Sequence, residues 1–452
     1  MSSDSSAVSD VPDAGRPVPS RLWRDRDFRR LWLGQASSQI GEQTSLVVLP
    51  LIAVLTLDTD AGRLGVLRAV GQAPILLFSL FAGAWVDRRQ ARTVMVLTDA
   101  GRALALGGAA LAGLLGGLGL PALLVVAFVA GTLSVYFDVA YQASLVRLVR
   151  RDQLVRGNSA LEGCRSAAQL GGPALGGAMV SLLSAPVGAA CSAGFFVLSV
   201  LSIGRIRRRE AVPSASSVAS VPVKAENLEP PRVWLRIHQG LRFVVGDTWL
   251  RIVGLASAAF QFSFAAMMTA YLLFLPRELH LSGAAVGLAL AATGPGALLG
   301  SLLAARLPGR FGHGAVLVGA AVLGDGAMLC VPLLHGPSGG TMAALLSVNF
   351  VFGTFGQLVN VTAMSLRQAV TPEGMQGRVT ATITFAGMGL TPLGSLLGGC
   401  LVQQWGLRTS LLVTAAGMMV SPLLMVLSPL ARVGRTLPVP KAVPLGGRPP
   451  MT

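Results

Sequence analysis

The chain has 452 residues, of which 52% are hydrophobic and only 12% are charged, and its formal net charge is +16. Soluble globular proteins carry about 25% charged residues, so this composition excludes an ordinary soluble or disordered chain and favours a polytopic membrane protein. Excess arginine is expected in the cytoplasmic loops of such a protein, so the positive charge does not indicate a nucleic-acid partner.

Twelve apolar segments are long enough to cross a bilayer as helices, which takes about 20 residues each. The segment before the first of them is polar, and the apolar run that follows is too long for a signal peptide, so no cleavage is expected. The predicted spans lie at residues 30–57, 63–86, 93–118, 121–146, 158–182, 185–204, 249–275, 282–306, 314–334, 339–366, 376–402 and 406–430.

The spans fall into two groups of six, separated by a stretch rich in Pro, Ser and mixed charges that is typical of a linker. The predicted organisation is therefore a cytoplasmic N-terminal tail at 1–29, a six-helix bundle at 30–205, a cytoplasmic linker at 206–247, a second six-helix bundle at 248–430 and a cytoplasmic C-terminal tail at 431–452.

The distribution of basic residues tests this count and sets the orientation. With twelve spans, only three of the 36 Lys and Arg residues fall on the side opposite to the termini: Arg63, Arg277 and Arg408. Positive charge stays in the cytoplasm, so we expect both termini on the cytoplasmic side of the cell membrane.

The two halves also repeat. The segment from Ser144 to Asp152 matches the segment from Ser365 to Glu373 in the second half. Parallel six-helix repeats are a transporter architecture with the substrate site at their interface. The predicted fold class is thus an all-α integral membrane protein of twelve transmembrane helices in two pseudo-symmetric six-helix bundles.

The loop between spans two and three carries a recognisable pattern. It reads Gly83-Ala-Trp-Val-Asp87-Arg88-Arg89-Gln-Ala-Arg92 and resembles the G-x-x-x-D-R-x-x-R signature of the major facilitator superfamily. The segments Phe28 to Gln35 and Ser38 to Glu42 are similar to the drug, macrolide and siderophore efflux branch. The resemblance implies the major facilitator fold and a conformational latch at Gly83, Asp87, Arg88 and Arg92. The alternative is that these charged residues only keep the loop on the cytoplasmic side of the membrane.

Span five contains Gly172, Pro173 and Gly176. They resemble the Gly-Pro motif that the family associates with drug–proton antiporters. The alternative interpretation is that small residues and a proline allow close packing and a kink. Both interpretations predict the same local structure and differ only on the direction of transport.

Polar groups inside spans are rare and usually face the interior of a bundle. Glu42 lies about a dozen residues into span one, roughly 18 Å along the helix and so near mid-membrane. We expect Glu42 to be the principal proton-coupling residue and Asp138 its rival. Further residues on the same helical stripes, or on span seven, are predicted to line a mostly apolar cavity: Gln35, Gln39, Gln142, Glu162, Arg165, Gln169, Gln261, Phe264, Met268, Asn349, Gln357 and Asn360.

Each of these assignments has a structural alternative. Asp99 and Arg102 are three residues apart on one helix and are expected to pair with each other. Glu162 and Arg165 have the same spacing and the same alternative. Glu42 has no arginine nearby on its own helix, which favours a functional role.

The favoured function is a secondary exporter of hydrophobic or amphipathic small molecules driven by proton antiport, with alternating access. The alternative is an importer or facilitator of a small metabolite on the same fold. No nucleophile–base or metal motif points to an enzyme, and no cofactor or metal is expected. The expected partners are the small-molecule substrate, a proton or another cation, and the lipid bilayer, with the protein acting as a monomer.

Overall fold

The structure is a computed structural model that describes residues 24–86, 89–148, 154–206, 241–371 and 376–435. Every regular element within these ranges is helical. The first six helices are α1 (Arg26–Leu51), α2 (Ala61–Val86), α3 (Ala91–Leu114), α4 (Leu120–Leu148), α5 (Leu154–Leu182) and α6 (Ala185–Gly204). The later ones are α7 (Thr248–Arg277), α8 (Gly283–Ala291), α9 (Thr293–Ala304), α10 (Leu307–Phe311), α11 (His313–Ala327), α12 (Gly339–Val370), α13 (Gln376–Gly389), α14 (Thr391–Met418) and α15 (Val420–Val426).

Nine helices in the described part of the chain are long and apolar enough to cross a membrane. The longest, Thr382–Val426, has 45 residues and covers most of the last two predicted spans. Inside α14 the chain turns at Gly406, whose φ of 77° is readily adopted only by glycine. This turn falls at the predicted start of span twelve, so the helices are consistent with twelve spans.

The same capping arrangement begins α1 and α7. The Asp25 carboxylate accepts hydrogen bonds from the first backbone N–H groups of α1, and the Asp247 carboxylate does the same for α7. Such caps satisfy donors that would otherwise lack partners. Each of the two helices is the first of its half, so the internal repeat of the sequence is also a repeat of local structure.

Alternation of the helices defines two faces of the molecule. We call the face with Arg26 and Gly204 the terminal face, and the face with the connections at 57–60 and 278–282 the distal face. We call α1–α6 the first bundle and α7–α15 the second. Most of the predicted linker, residues 207–240, lies outside the described ranges, as do the predicted tail residues 1–23 and 436–452.

The two bundles meet along α2 with α14 and along α5 with α8, and we call these contacts the distal seam. Glycines allow the backbones to approach closely there. A Cβ added at Gly65 would lie 2.7 Å from the Ser395 carbonyl oxygen, and one added at Gly287 would lie 2.6 Å from the Pro173 carbonyl oxygen. Hydrogen bonds also join the bundles in this distal half. The molecule is therefore closed on its distal face.

The three arginines that the sequence places on the distal side are all engaged there. Arg277 donates to the Asp58 carboxylate at 3.0 Å and to the Thr59 carbonyl oxygen at 2.7 Å, which ties the second bundle to the first. The other two form ion pairs within their own bundles: Arg63 with Asp60 and Arg408 with Glu278, both at 3.4 Å.

Candidate functional site

A buried ionic cluster lies in the first bundle, between α1 and α3. Arg102 forms an ion pair with Asp99 on its own helix, as their three-residue spacing predicts, and its Nη1 atom is 3.5 Å from Glu42 Oε2. The side chains of Arg102 and Asp99 are 1% and 0% exposed, whereas that of Glu42 is 21% exposed. Glu42 is therefore the member of this ion-paired group that water can reach.

Three neighbouring helices hold the guanidinium of Arg102 in place. It lies between the rings of Phe137 on α4 and Phe196 on α6, 4.6 and 4.5 Å from their centroids, a geometry in which the ring faces attract the cation. It also donates to Ser38 on α1 at 3.1 Å and to Ser134 on α4 at 3.2 Å. These contacts replace part of the hydration that a buried charge loses.

Asp138 on α4 belongs to the same electrostatic environment. It interacts with the charges of Glu42, Asp99, Arg102 and Arg165. Glu42 and Asp138, the two carboxyls singled out by the sequence, are thus brought together. The sequence did not indicate that both would share Arg102, which it assigned only to the pair with Asp99.

The remaining polar residues of the first bundle divide into two groups. Gln35 and Gln39 share a helical face with Glu42 but are 1% and 3% exposed, so in this conformation they lie between helices. The second group is exposed and consists of Glu162, Arg165, Gln142 and Gln169. Among the contacts of the described residues, no ion pair joins Glu162 to Arg165.

An aromatic stack occupies the corresponding part of the second bundle. The rings of Phe260 and Phe264 on α7 are nearly parallel with centroids 5.5 Å apart, and Phe352 on α12 stacks on Phe264 at 5.6 Å. All three are partly accessible. Phe264 is one of the predicted cavity residues. Phe352 is not, because the prediction for span ten rests on its polar residues.

The other predicted residues of the second bundle surround this stack or bridge helices. Met268 is partly buried and packs on the main apolar core, and Gln261 lies against Gly387 of α13. Asn349 is buried and donates to the Tyr271 hydroxyl at 2.7 Å, joining α12 to α7. Two further positions lie along α12: Gln357, which is partly buried beside Gly300, and Asn360, which is exposed.

Comparison of the two halves shows a clear difference in chemistry. Aligning the basic loop before span three with the one before span nine places Phe260 at the position of Glu42. Aligning the starts of α1 and α7 instead places Phe264 opposite Glu42. With either alignment an aromatic ring of the stack replaces the carboxyl group. The first bundle therefore carries ions where the second carries rings.

The Gly-Pro motif of span five lies where three helices meet. A Cβ at Gly172 would collide with Gln43, and one at Gly176 would lie 3.0 Å from the Thr44 carbonyl oxygen, so both glycines pack on α1. One residue later, Gly177 packs on Gly287 of α8. Pro173 lies inside α5 between these contacts. The motif thus connects the helix that carries Glu42 to the distal seam.

The predicted latch is only partly visible. Asp87 and Arg88 lie outside the described ranges, and Gly83 lies in the last turn of α2. Arg92, in the first turn of α3, donates to the Gly204 carbonyl oxygen at the end of α6. Arg92 therefore fixes two helix ends of the first bundle at the terminal face.

An apolar cavity of about 710 Å³ lies between the bundles, on the side of α5, α8, α9 and α12. Leu170 from the first bundle and Leu288, Pro295 and Phe350 from the second line its wall, and Ser347 supplies the single polar side chain. None of the predicted cavity residues lines it, so it is separate from the ionic cluster.

Comparisons with known proteins agree with this architecture. The sequence model of the Major Facilitator Superfamily matches residues 31–391 and 253–449. The multidrug efflux pump Tap of Mycobacterium tuberculosis (strain ATCC 25618 / H37Rv) is 28% identical over 399 residues, which cover 83% of this chain and 87% of that protein. Tap of Mycolicibacterium fortuitum is 25% identical over 407 residues, covering 87% and 93%.

Solved structures show the same fold at low sequence identity. A bacterial homologue of the iron transporter ferroportin in an inward-facing state has a TM-score of 0.69 and 17% identity, covering 90% of this chain and 99% of its own. A bacterial homologue of the lysosomal transporter Spinster, inward-facing and occupied, has a TM-score of 0.68 and 14% identity, covering 92% and 98%. The chain is a multi-pass membrane protein and belongs to the Major Facilitator Superfamily.

Proposed function

We propose that this protein exports hydrophobic or amphipathic small molecules across the cell membrane in exchange for protons, with the terminal face in the cytoplasm. The observation that carries the proposal is the cluster of Glu42, Asp99, Asp138 and Arg102 inside the first bundle. The Tap relatives are named multidrug efflux pumps, which supports export and a broad choice of substrate. The basic residues concentrated near the terminal face support the orientation.

The charge balance of the cluster explains how a proton and a substrate can compete. Glu42 and Asp99 pair with the buried guanidinium of Arg102, and Asp138 interacts with the charges of Arg165 and Arg102, so three carboxylates face two guanidinium groups. When all are ionised, the excess negative charge can be neutralised by a proton or by a cationic group of the substrate. Glu42 keeps 21% of its side chain accessible, whereas Asp99 is fully buried, so Glu42 is better placed than Asp99 to exchange either one with water.

A contiguous set of contacts leads from Glu42 to the distal seam. The next residues on α1, Gln43 and Thr44, touch Gly172 and Gly176 of α5, and Gly177 then touches α8 of the second bundle. A proton on Glu42 removes its attraction to Arg102, and α1 is free to shift against α5. A ligand changes the population of two states only through such differential contacts, and these contacts end at the surface that must open.

The driving force is sufficient. One charge moving across roughly 100 mV releases about 2.3 kcal/mol, and one pH unit adds about 1.4 kcal/mol. Together they support a substrate gradient on the order of several hundredfold for each proton. The aromatic stack of the second bundle supplies a face on which flat, apolar substrates can lie.

Efflux from loaded vesicles tests the proposal. The purified protein is reconstituted, and release of a fluorescent lipophilic dye is followed with and without an imposed pH gradient. Glu42→Gln retains the size and hydrogen bonding of the side chain but cannot titrate, so it is expected to abolish gradient-driven efflux and to preserve dye binding and counterflow. Glu278→Gln, which removes an acid on the distal face paired with Arg408, is the matched control and is expected to keep the gradient dependence.

Unchanged pH-driven efflux by Glu42→Gln would exclude Glu42 and leave Asp138 as the coupling residue. If efflux from wild-type vesicles were indifferent to the pH gradient, proton antiport itself would be wrong. Uptake driven by the same gradient would favour the importer instead.

A further inference from the structure

Arg68 is a charged residue inside α2 that the proposed mechanism does not use. It lies about two helical turns from the distal start of the helix. Its Nη1 atom is buried without a hydrogen-bond partner. Among the residues that the structure describes, Arg68 has no hydrogen bond and no ion pair.

This arrangement differs from that of Arg102, whose side chain is buried within a span but is paired with two carboxylates. More than nine in ten buried polar groups in folded proteins have a partner, and an unpaired buried charge is among the most unfavourable arrangements. Lysine or histidine can lose its proton when buried, but a guanidinium stays charged. An anion beside Nη1 would compensate this charge.

The surroundings of Arg68 place it on the distal seam. Three residues earlier, Gly65 touches the backbone of α14 at Ser395 and Gly399. Four residues later, Gln72 accepts a hydrogen bond from Ser395 at 3.3 Å. Residues three and four apart share one face of a helix, so Arg68 lies on the face of α2 that meets the second bundle. The residue is partly accessible although Nη1 is buried.

The protein supplies no acid at this point of the described chain. The neighbours that define the seam here are glycine, serine and glutamine. The nearest carboxylate on the same segment is Asp60, which is engaged by Arg63 at 3.4 Å and by Gln403 at 3.3 Å near the distal surface. An anion that compensates Arg68 must accordingly come from outside the described chain.

We propose that Arg68 is the docking point for an anionic group of the transported molecule, a carboxylate, sulfonate or phosphate. The inference rests on the proposed function, because it takes the space between the bundles to be the substrate path. The guanidinium offers paired N–H donors that match a carboxylate. Combined with the acidic cluster around Glu42, it selects amphoteric substrates, whose cationic end meets Glu42 and Asp138 and whose anionic end meets Arg68.

The position on the seam also connects binding to conformation. When the distal face opens, α2 separates from α14 and water can hydrate Arg68. The free energy of binding an anion to Arg68 is then less favourable. An anion that binds in the distal-closed state therefore stabilises that state relative to the open one. The substrate would thus remain bound until the seam parts.

The test compares two probes that differ only in charge, 1-naphthaleneacetate and its neutral amide, 1-naphthaleneacetamide. Binding to the full-length protein in lipid nanodiscs is measured by calorimetry without any ion gradient. One charged hydrogen bond corresponds to a preference of about ten- to a hundredfold, and the wild type is expected to prefer the carboxylate by that factor. Arg68→Gln should abolish the preference, and Arg68→Lys should retain part of it and show that the fold is intact.

Arg63→Gln is the matched control, because Arg63 lies on the same helix but is exposed and already paired. It should leave the preference for the carboxylate unchanged. The inference is overturned if the wild type does not bind the carboxylate or shows no preference, or if the preference survives in Arg68→Gln. Because no gradient is used, these outcomes are independent of the efflux assay, in which a Glu42→Gln variant with unchanged efflux would overturn only the coupling proposal.

Discussion

Replacing Arg102 by glutamine should destabilise the first bundle strongly. The substitution leaves Asp99, which is 0% exposed, without its counter-charge, and removes the 3.5 Å contact with Glu42. Breaking a buried ion pair from one side costs about 3–5 kcal/mol, because the remaining charge is left uncompensated. The contacts with Phe137 and Phe196 are lost as well, so we expect a loss at the upper end of this range.

A double-mutant cycle separates the uncompensated charge from the loss of packing. Asp99→Asn/Arg102→Gln removes both charges and leaves two amides, and it is expected to recover about 2–3 kcal/mol relative to Arg102→Gln alone. The free energy of unfolding is measured for the purified protein by titration from mild detergent into SDS, with helicity as the readout. Arg63→Gln breaks a pair whose members are 64% and 50% exposed and should change stability by no more than about 1 kcal/mol.

Two results would refute this reasoning. One is a decrease of less than about 1 kcal/mol in the free energy of unfolding of Arg102→Gln. It would mean that water or a rearranged neighbour compensates the charge of Asp99. The other is a double variant no more stable than Arg102→Gln, which would mean that packing on the two rings, rather than charge, determines the effect.

Three further predictions concern the seam and the stack. Gly65→Val should force the distal seam open, because a Cβ there would lie 2.7 Å from a backbone oxygen. Distances between spin labels across the distal face should then lengthen. Gly108→Val is the control and should not change them, because a Cβ at Gly108 meets nothing within 4 Å. Asp58→Asn removes an exposed ion pair with Arg277 and should shift the closed population by less than about fivefold, an effect that disappears in high salt; a larger, salt-independent shift would contradict it. Phe264→Leu should weaken binding of flat aromatic dyes several-fold and leave the pH dependence of efflux unchanged, as measured in the same vesicles; a changed pH dependence would show that the ring contributes to coupling.

Much of the fold could be predicted from the sequence because its signals are local. Apolar length locates the spans, and the turn at Gly406 falls where the apolar pattern pauses. The pair of Asp99 with Arg102 could also be predicted, since residues three apart on a helix are neighbours.

The composition of the site could be predicted only in part, because it depends on how neighbouring helices are rotated. Nothing near Glu42 in the sequence indicates that Arg102 of another helix reaches it. Gln39 shares a face with Glu42, yet it is 3% exposed. The sequence of α1 does not show which of its residues are covered when α5 and α6 pack against it. Phe352 joins the stack through contacts between α7 and α12, and no pattern within span ten predicts these contacts.

The division of chemistry between the halves has a consequence for how such a protein diversifies. The ions of Glu42 and Arg102 and the rings of Phe264 and Phe352 lie on separate halves of one chain. If the ions couple transport to protons and the rings bind substrate, as proposed above, substitutions among the rings would change which compounds are recognised and leave the source of energy the same. Under the proposed function, change in the second half is therefore expected to alter the choice of substrate, whereas change in the first half is expected to alter the coupling to protons.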